Sequence, residues 1–283
     1  MKNIKYFLQF LGVIFLFSIF KVLGLKYASK ISGKIFSTLG PLFRSKKTSK
    51  KNLLKAFPNL CNKEKQKIIN DMWTNYGKIF AEYLFIKKFR LANNIVVENQ
   101  EELEKIKKSG NPVIFISGHF NNFELMAMHI EKSGIDLAAI YRPLNNKFIN
   151  PLTEKIRKKY ICHKQIKKGI SGTKELLKHF KNGTSVALMI DQRVSEGIKS
   201  NFFNEKASTT TIPAQFAKKF NAKIVPIYIE RIEDNNFKLK VYKPINFKDS
   251  ESIESITLYL NKILEEMILL HPEQWIWTHN RWK

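Results

Sequence analysis

Four short runs of this chain, residues 113–116, 137–140, 185–190 and 224–229, are apolar at nearly every position. A strand without a polar face is covered on both sides, which is the habit of parallel sheets. Between the runs lie amphipathic segments such as 172–181 and 213–220, at the spacing of βαβ units. The expected fold is therefore α/β, a largely parallel central sheet covered by helices.

Three of those runs lead into polar, chemically able residues. The first ends in Ser117-Gly118-His119-Phe120-Asn121-Asn122-Phe123-Glu124, the second in Tyr141-Arg142-Pro143 and the third in Asp191-Gln192-Arg193. Carboxyl ends of parallel strands share one sheet edge, so His119, Arg142 and Asp191 are candidates to converge although far apart in sequence. Taken singly, Arg142 also reads as half of a surface ion pair and Asp191 as a turn cap. His119 and Glu124 make the sharper pair. Residues five apart on one ideal helix point roughly 140° away from each other. The pair therefore requires His119 in the loop and Glu124 in the first turn of the helix that continues through Leu125, Met126 and His129. Glu124 then accepts the proton of one ring nitrogen and fixes the tautomer, while the other nitrogen removes a proton from a hydroxyl. No serine or cysteine stands where a nucleophile is presented: Ser117 is too close to the histidine, and G-x-S-x-G is absent. This pattern favours direct transfer to a bound alcohol.

At the N-terminus, residues 7–20 read FLQFLGVIFLFSIF, and apolar character resumes through Leu25. A membrane span needs about 20 such residues; Gln9 and Lys21 interrupt this one. Lys2 and Lys5 also suit a signal peptide, but Tyr27-Ala28-Ser29 is a poor cleavage site. Lys26, Lys30, Lys34, Arg44, Lys46, Lys47, Lys50 and Lys51 follow, and no acidic residue precedes Glu64. Such a flank stays in the cytoplasm if the helix spans, and grips anionic headgroups if it lies flat. Residues 1–40 are read as a membrane anchor with its basic flank, and 41–283 as one catalytic domain. Within that domain, residues 63–88 carry an apolar stripe at helical spacing, expected to pack on the sheet.

Read together, these segments resemble the late acyltransferases of lipid A biosynthesis, the lauroyl/myristoyl-transferase-like enzymes of Gram-negative inner membranes. His119-x4-Glu124 matches the H-x4-D/E motif shared with glycerolipid acyltransferases. Tyr141-Arg142-Pro143, Ile190-Asp191-Gln192-Arg193, Thr209-Thr210-Thr211-Ile212-Pro213-Ala214 and the terminal stretch from Pro272 through Trp275, Trp277 and Trp282 narrow the match. The resemblance implies transfer of a fatty acyl chain from acyl carrier protein onto a hydroxyl of a Kdo-bearing lipid A precursor. It makes His119 the general base, Glu124 its orienting partner, and Arg142 and Asp191 further site residues, with Arg142 or backbone N–H groups stabilising the oxyanion. Glycerolipid or other glycolipid acyl transfer, from acyl-CoA or from acyl carrier protein, is the alternative within the class.

The charge fits these partners. The chain has 49 Lys+Arg against 24 Asp+Glu, a formal net charge of +25, which calls for anionic counterparts. Acyl carrier protein, the acceptor's phosphates and acidic sugars, and anionic inner-membrane lipids each supply them. Nucleic acid does not fit, because the basic residues are scattered and no nucleic-acid-binding motif is present. Cys61 and Cys162 have neither disulfide nor zinc spacing, and no metal or cofactor is expected. Two features have double readings. Thr209 to Thr211 suit a helix cap or an acceptor phosphate, and the terminal tryptophans suit a membrane interface or the domain core.

Overall fold

The computed structural model describes residues 2–43, 46–92 and 94–283; Arg44 of the basic flank lies outside them. The strands are β1 (Ile95–Glu98), β2 (Ile114–Ser117), β3 (Leu137–Tyr141), β4 (Lys164–Lys167), β5 (Ser185–Met189), β6 (Ile198–Phe202), β7 (Glu205–Thr209), β8 (Ile224–Glu233) and β9 (Asn236–Val241). The helices are α1 (Lys2–Phe43), α2 (Lys46–Ala56), α3 (Asn62–Glu82), α4 (Ile86–Leu91), α5 (Gln100–Ser109), α6 (Glu124–Lys132), α7 (Ile149–Tyr160), α8 (Ile170–Lys181), α9 (Ile212–Phe220) and α10 (Ile253–Leu270). Each apolar run of the sequence is a strand of one seven-stranded sheet, ordered β1-β9-β8-β2-β5-β3-β4. Every neighbouring pair is parallel except β8 and β9, which form an antiparallel hairpin. The α/β expectation holds.

Burial explains the missing alternation. All four residues of β2 are buried, and α6, α8 and α9 pack against the central strands. Because β2 and β5 are parallel neighbours in register Ser117↔Met189, the residue two past each strand lies at the same level of the sheet edge. Those two residues are His119 and Asp191.

The apolar N-terminal helix is long and apolar enough to cross a membrane, and this fits a membrane association. It is not one straight rod. Gly24 breaks it with φ 73 and ψ 170, a conformation that glycine reaches without a Cβ penalty. Beyond Gly24 the helix runs past residue 40 to Phe43 and lies on α3 through small residues. A Cβ on Gly77 would sit 2.3 Å from the Ser32 carbonyl oxygen, and one on Gly40 would sit 2.3 Å from the Trp73 ring. The apolar stripe of α3 thus buries Met72 and Trp73 against this half of α1 and the core. Before Gly24 the helix leaves Leu8, Phe15 and Val22 exposed. Its first turns meet the loop between β3 and α7: Asn146 donates to the Tyr6 carbonyl at 2.8 Å and to Gln9 Oε1 at 3.3 Å, and Phe148 packs on Phe7. Gln9, the polar interruption of the run, is therefore used as a hydrogen-bond acceptor.

Candidate active site

His119 stands in the loop between β2 and α6 with a fifth of its side chain exposed. Its ring Nδ1 lies 2.8 Å from Asp191 Oδ1, and its backbone N–H donates to Asp191 Oδ2 at 2.7 Å. The Trp275 indole N–H donates to the same Oδ2 at 2.9 Å. Asp191 is completely buried. Burial alone raises its carboxyl pKa. The charge on the His119 ring, the His119 N–H groups and the indole outweigh that and hold it below the ordinary aspartate range. An ionised carboxylate only accepts hydrogen bonds, so Nδ1 carries a proton, and in the neutral imidazole the lone pair is on Nε2. The Gln192 side-chain amide lies 3.5 Å from that nitrogen, and Phe123 packs edge-on against the ring.

The carboxylate that contacts the His119 ring is thus Asp191, not the expected Glu124. The reason is register: β5 lies directly beside β2, whereas Glu124 opens α6 and turns toward α7. There Arg157 donates through Nε at 2.8 Å and through a terminal nitrogen at 2.5 Å to Glu124 Oε1. Arg157 also stacks on the Tyr141 ring at 5.5 Å, while the Tyr141 hydroxyl donates to Glu154. Both members of the Glu124–Arg157 pair are largely buried. Glu124→Ala strands the guanidinium and is expected to destabilise the fold by about 3 kcal/mol, measurable in denaturant unfolding; Glu124→Gln keeps an acceptor and is expected to lose less than half of that.

Arg142 follows β3, and β5 separates β3 from β2. Two strand spacings, about 10 Å, separate it from His119, and one separates it from Asp191. It is exposed on the rim. Trp275 and Trp277 are core residues, and Trp275 also serves Asp191. Thr211 precedes α9 without a side-chain cap bond, while Thr209 Oγ1 accepts from the buried Arg281 at 2.7 Å. In the 155–168 segment Arg157 and Cys162 turn inward, and burial pushes the Cys162 thiol up to about 12.

A ring nitrogen opposite a buried carboxylate at a sheet edge is equipped to deprotonate an alcohol for attack on an acyl group. Such chemistry is what an acyltransferase needs. The chain belongs to the bacterial lipid A biosynthesis acyltransferases, whose family model matches residues 1–283. It is 26% identical over 251 residues to the lipid A biosynthesis lauroyltransferase of Escherichia coli (strain K12), covering 85% of this chain and 79% of that one. It is 24% identical over 252 residues to the palmitoleoyltransferase of the same strain, covering 86% and 80%. The 1-acyl-sn-glycerophosphate (LPA) acyltransferase structure from Thermotoga maritima aligns with a TM-score of 0.43 at 16% identity, over 89% of this chain and 98% of that one. The protein is an acyltransferase acting on lipid A.

Proposed function

We propose that the enzyme moves a fatty acyl chain from acyl carrier protein onto a hydroxyl of a Kdo-bearing lipid A precursor at the cytoplasmic face of the inner membrane. The observation that carries the reading is the His119–Asp191 contact at 2.8 Å, which leaves Nε2 on the opposite side of the ring, beside the Gln192 amide. In the proposed step Nε2 takes the acceptor hydroxyl proton as its oxygen attacks the thioester carbonyl carbon. Asp191 stabilises the imidazolium that forms. The carbonyl oxygen becomes the oxyanion of a tetrahedral intermediate, the C–S bond then breaks, and the imidazolium returns the proton to the leaving thiolate. The products are ester and carrier thiol, and no acyl-enzyme is formed. Glu124 supports the site by anchoring the start of α6 to Arg157.

Arg142 and the backbone N–H groups at the start of α6 are assigned to charge stabilisation, Arg142 through its forked guanidinium. Arg142→Lys keeps the charge and loses the fork. The expected result is about a tenfold fall in kcat/KM, roughly the worth of one charge-assisted hydrogen bond; full turnover removes Arg142 from this role. The +25 charge suits an acidic carrier, a phosphorylated acceptor and anionic lipids.

The reading is tested with detergent-purified protein, an acyl carrier protein thioester, and either the Kdo-bearing tetraacyl precursor or lysophosphatidate. Acyl transfer to the lipid A precursor is expected. Transfer to lysophosphatidate alone overturns the acceptor assignment.

A further inference from the structure

Beneath the His119 loop lies a second charged pair that takes no part in the proton transfer. Arg231 of β8 donates to both oxygens of Glu82 at the end of α3, at 2.7 and 3.0 Å. Glu82 is fully buried and Arg231 is 9% exposed. The Glu82 carboxylate also accepts from Ser29 of α1, Asn122 and Asn235, each at 3.0 Å. Burying two ions costs about what their attraction returns, so stability alone is a weak reason to keep such a pair. We propose that the Glu82–Arg231 pair is a positioning device that holds both His119 and Asp191 in register for proton transfer. This rests on His119 being the base.

The connections run to both partners. Asn121 is two residues from His119 and has φ 38, in the left-handed region, which persists only when its surroundings fix it. Here they do. Arg231 donates to its side-chain oxygen at 3.1 Å, its amide donates to Asn75 and Gln274, and its backbone N–H donates to the Gln274 carbonyl at 2.8 Å. Gln274 also accepts from the Arg231 backbone N–H at 2.9 Å. The next residue is Trp275, which holds Asp191. One network therefore sets the loop that carries the base and the turn that carries the ligand of its carboxylate. Through Ser29, the same network reaches the apolar helix.

Glu82→Leu/Arg231→Met replaces the pair with apolar groups of similar size. The double variant is expected to unfold cooperatively yet show a kcat per folded molecule lower by about 10- to 100-fold, the penalty of a small misplacement, with KM for the thioester within about twofold. Arg231→Lys keeps the charge on Glu82 but loses the fork, and is expected to fall between. Nuclear magnetic resonance of protein labelled with ¹⁵N-histidine reads the His119 tautomer without substrate: wild type is expected to show Nδ1–H alone, the double variant a mixture. Asn121→Gly tolerates the positive φ while dropping the side-chain bonds; the same kcat loss is expected there, whether or not the double variant folds. Wild-type kcat and tautomer in a folded double variant, or unchanged kcat in Asn121→Gly, overturn the proposal. If wild type acylates neither acceptor, the functional reading fails separately, and the tautomer comparison still decides this one.

Discussion

Alanine at position 119 is expected to lower kcat by about 10²–10⁴-fold, the usual contribution of a positioned general base. KM for the acyl donor should stay within a few-fold, because the imidazole acts on the acceptor proton. The fold should survive. The ring is partly solvent-exposed, and the backbone N–H bond to Asp191 does not depend on the side chain. Steady-state kinetics beside a thermal unfolding curve checks this. A variant with normal kcat removes His119 from the chemistry.

The second large effect is at Asp191. Asparagine there keeps the shape but offers no negative charge to the imidazolium, and its amide can turn an N–H toward Nδ1 and select the wrong tautomer. A kcat loss of about 10³–10⁴-fold is expected, in keeping with the loss when a triad aspartate becomes asparagine. Glu124→Gln, which leaves the His119–Asp191 contact in place, should cost less than a tenth of that loss in kcat. The reverse ranking would restore Glu124 as the partner of the base. The pH dependence gives an independent sign. The Asp191 carboxyl is held below its ordinary value of 3.8 in the folded protein, so it contributes stability that is complete above the unfolded value. That contribution is lost as pH falls through the folded one. The unfolding free energies of wild type and Asp191→Asn should therefore converge below about pH 4, and a gap that widens there contradicts the assignment.

Much of this arrangement was legible before any coordinates. Runs that are apolar on both faces mark covered parallel strands, and polar residues just past their ends mark the edge where a site is built. What strand periodicity leaves open is strand order. His119, Arg142 and Asp191 each follow a strand, yet only neighbours touch: β5 lies between β2 and β3, so Asp191 meets the histidine and Arg142 does not. The H-x4-E spacing draws attention to Glu124 as a partner for the same reason that any short-range motif does, because sequence neighbours are visible and register is not. The Glu124–Arg157 and Glu82–Arg231 pairs join residues 33 and 149 apart, and spacing alone does not flag such pairs. Asn121 and Asn122 stood in plain view inside the motif. Their purpose, carrying a buried network under the loop, depends on α3, β8 and the C-terminal turn arriving together.

The most direct test is a single turnover. Wild type and His119→Ala are mixed with one equivalent of acyl carrier protein thioester and excess Kdo-bearing precursor, and product lipid and intact protein are weighed by mass spectrometry at matched times. The expected result is a lipid heavier by one acyl chain, protein of unchanged mass throughout, and product formation slowed by about 10²–10⁴-fold in the variant. Transient acylation of the protein, or equal product from both enzymes, would contradict direct transfer driven by His119.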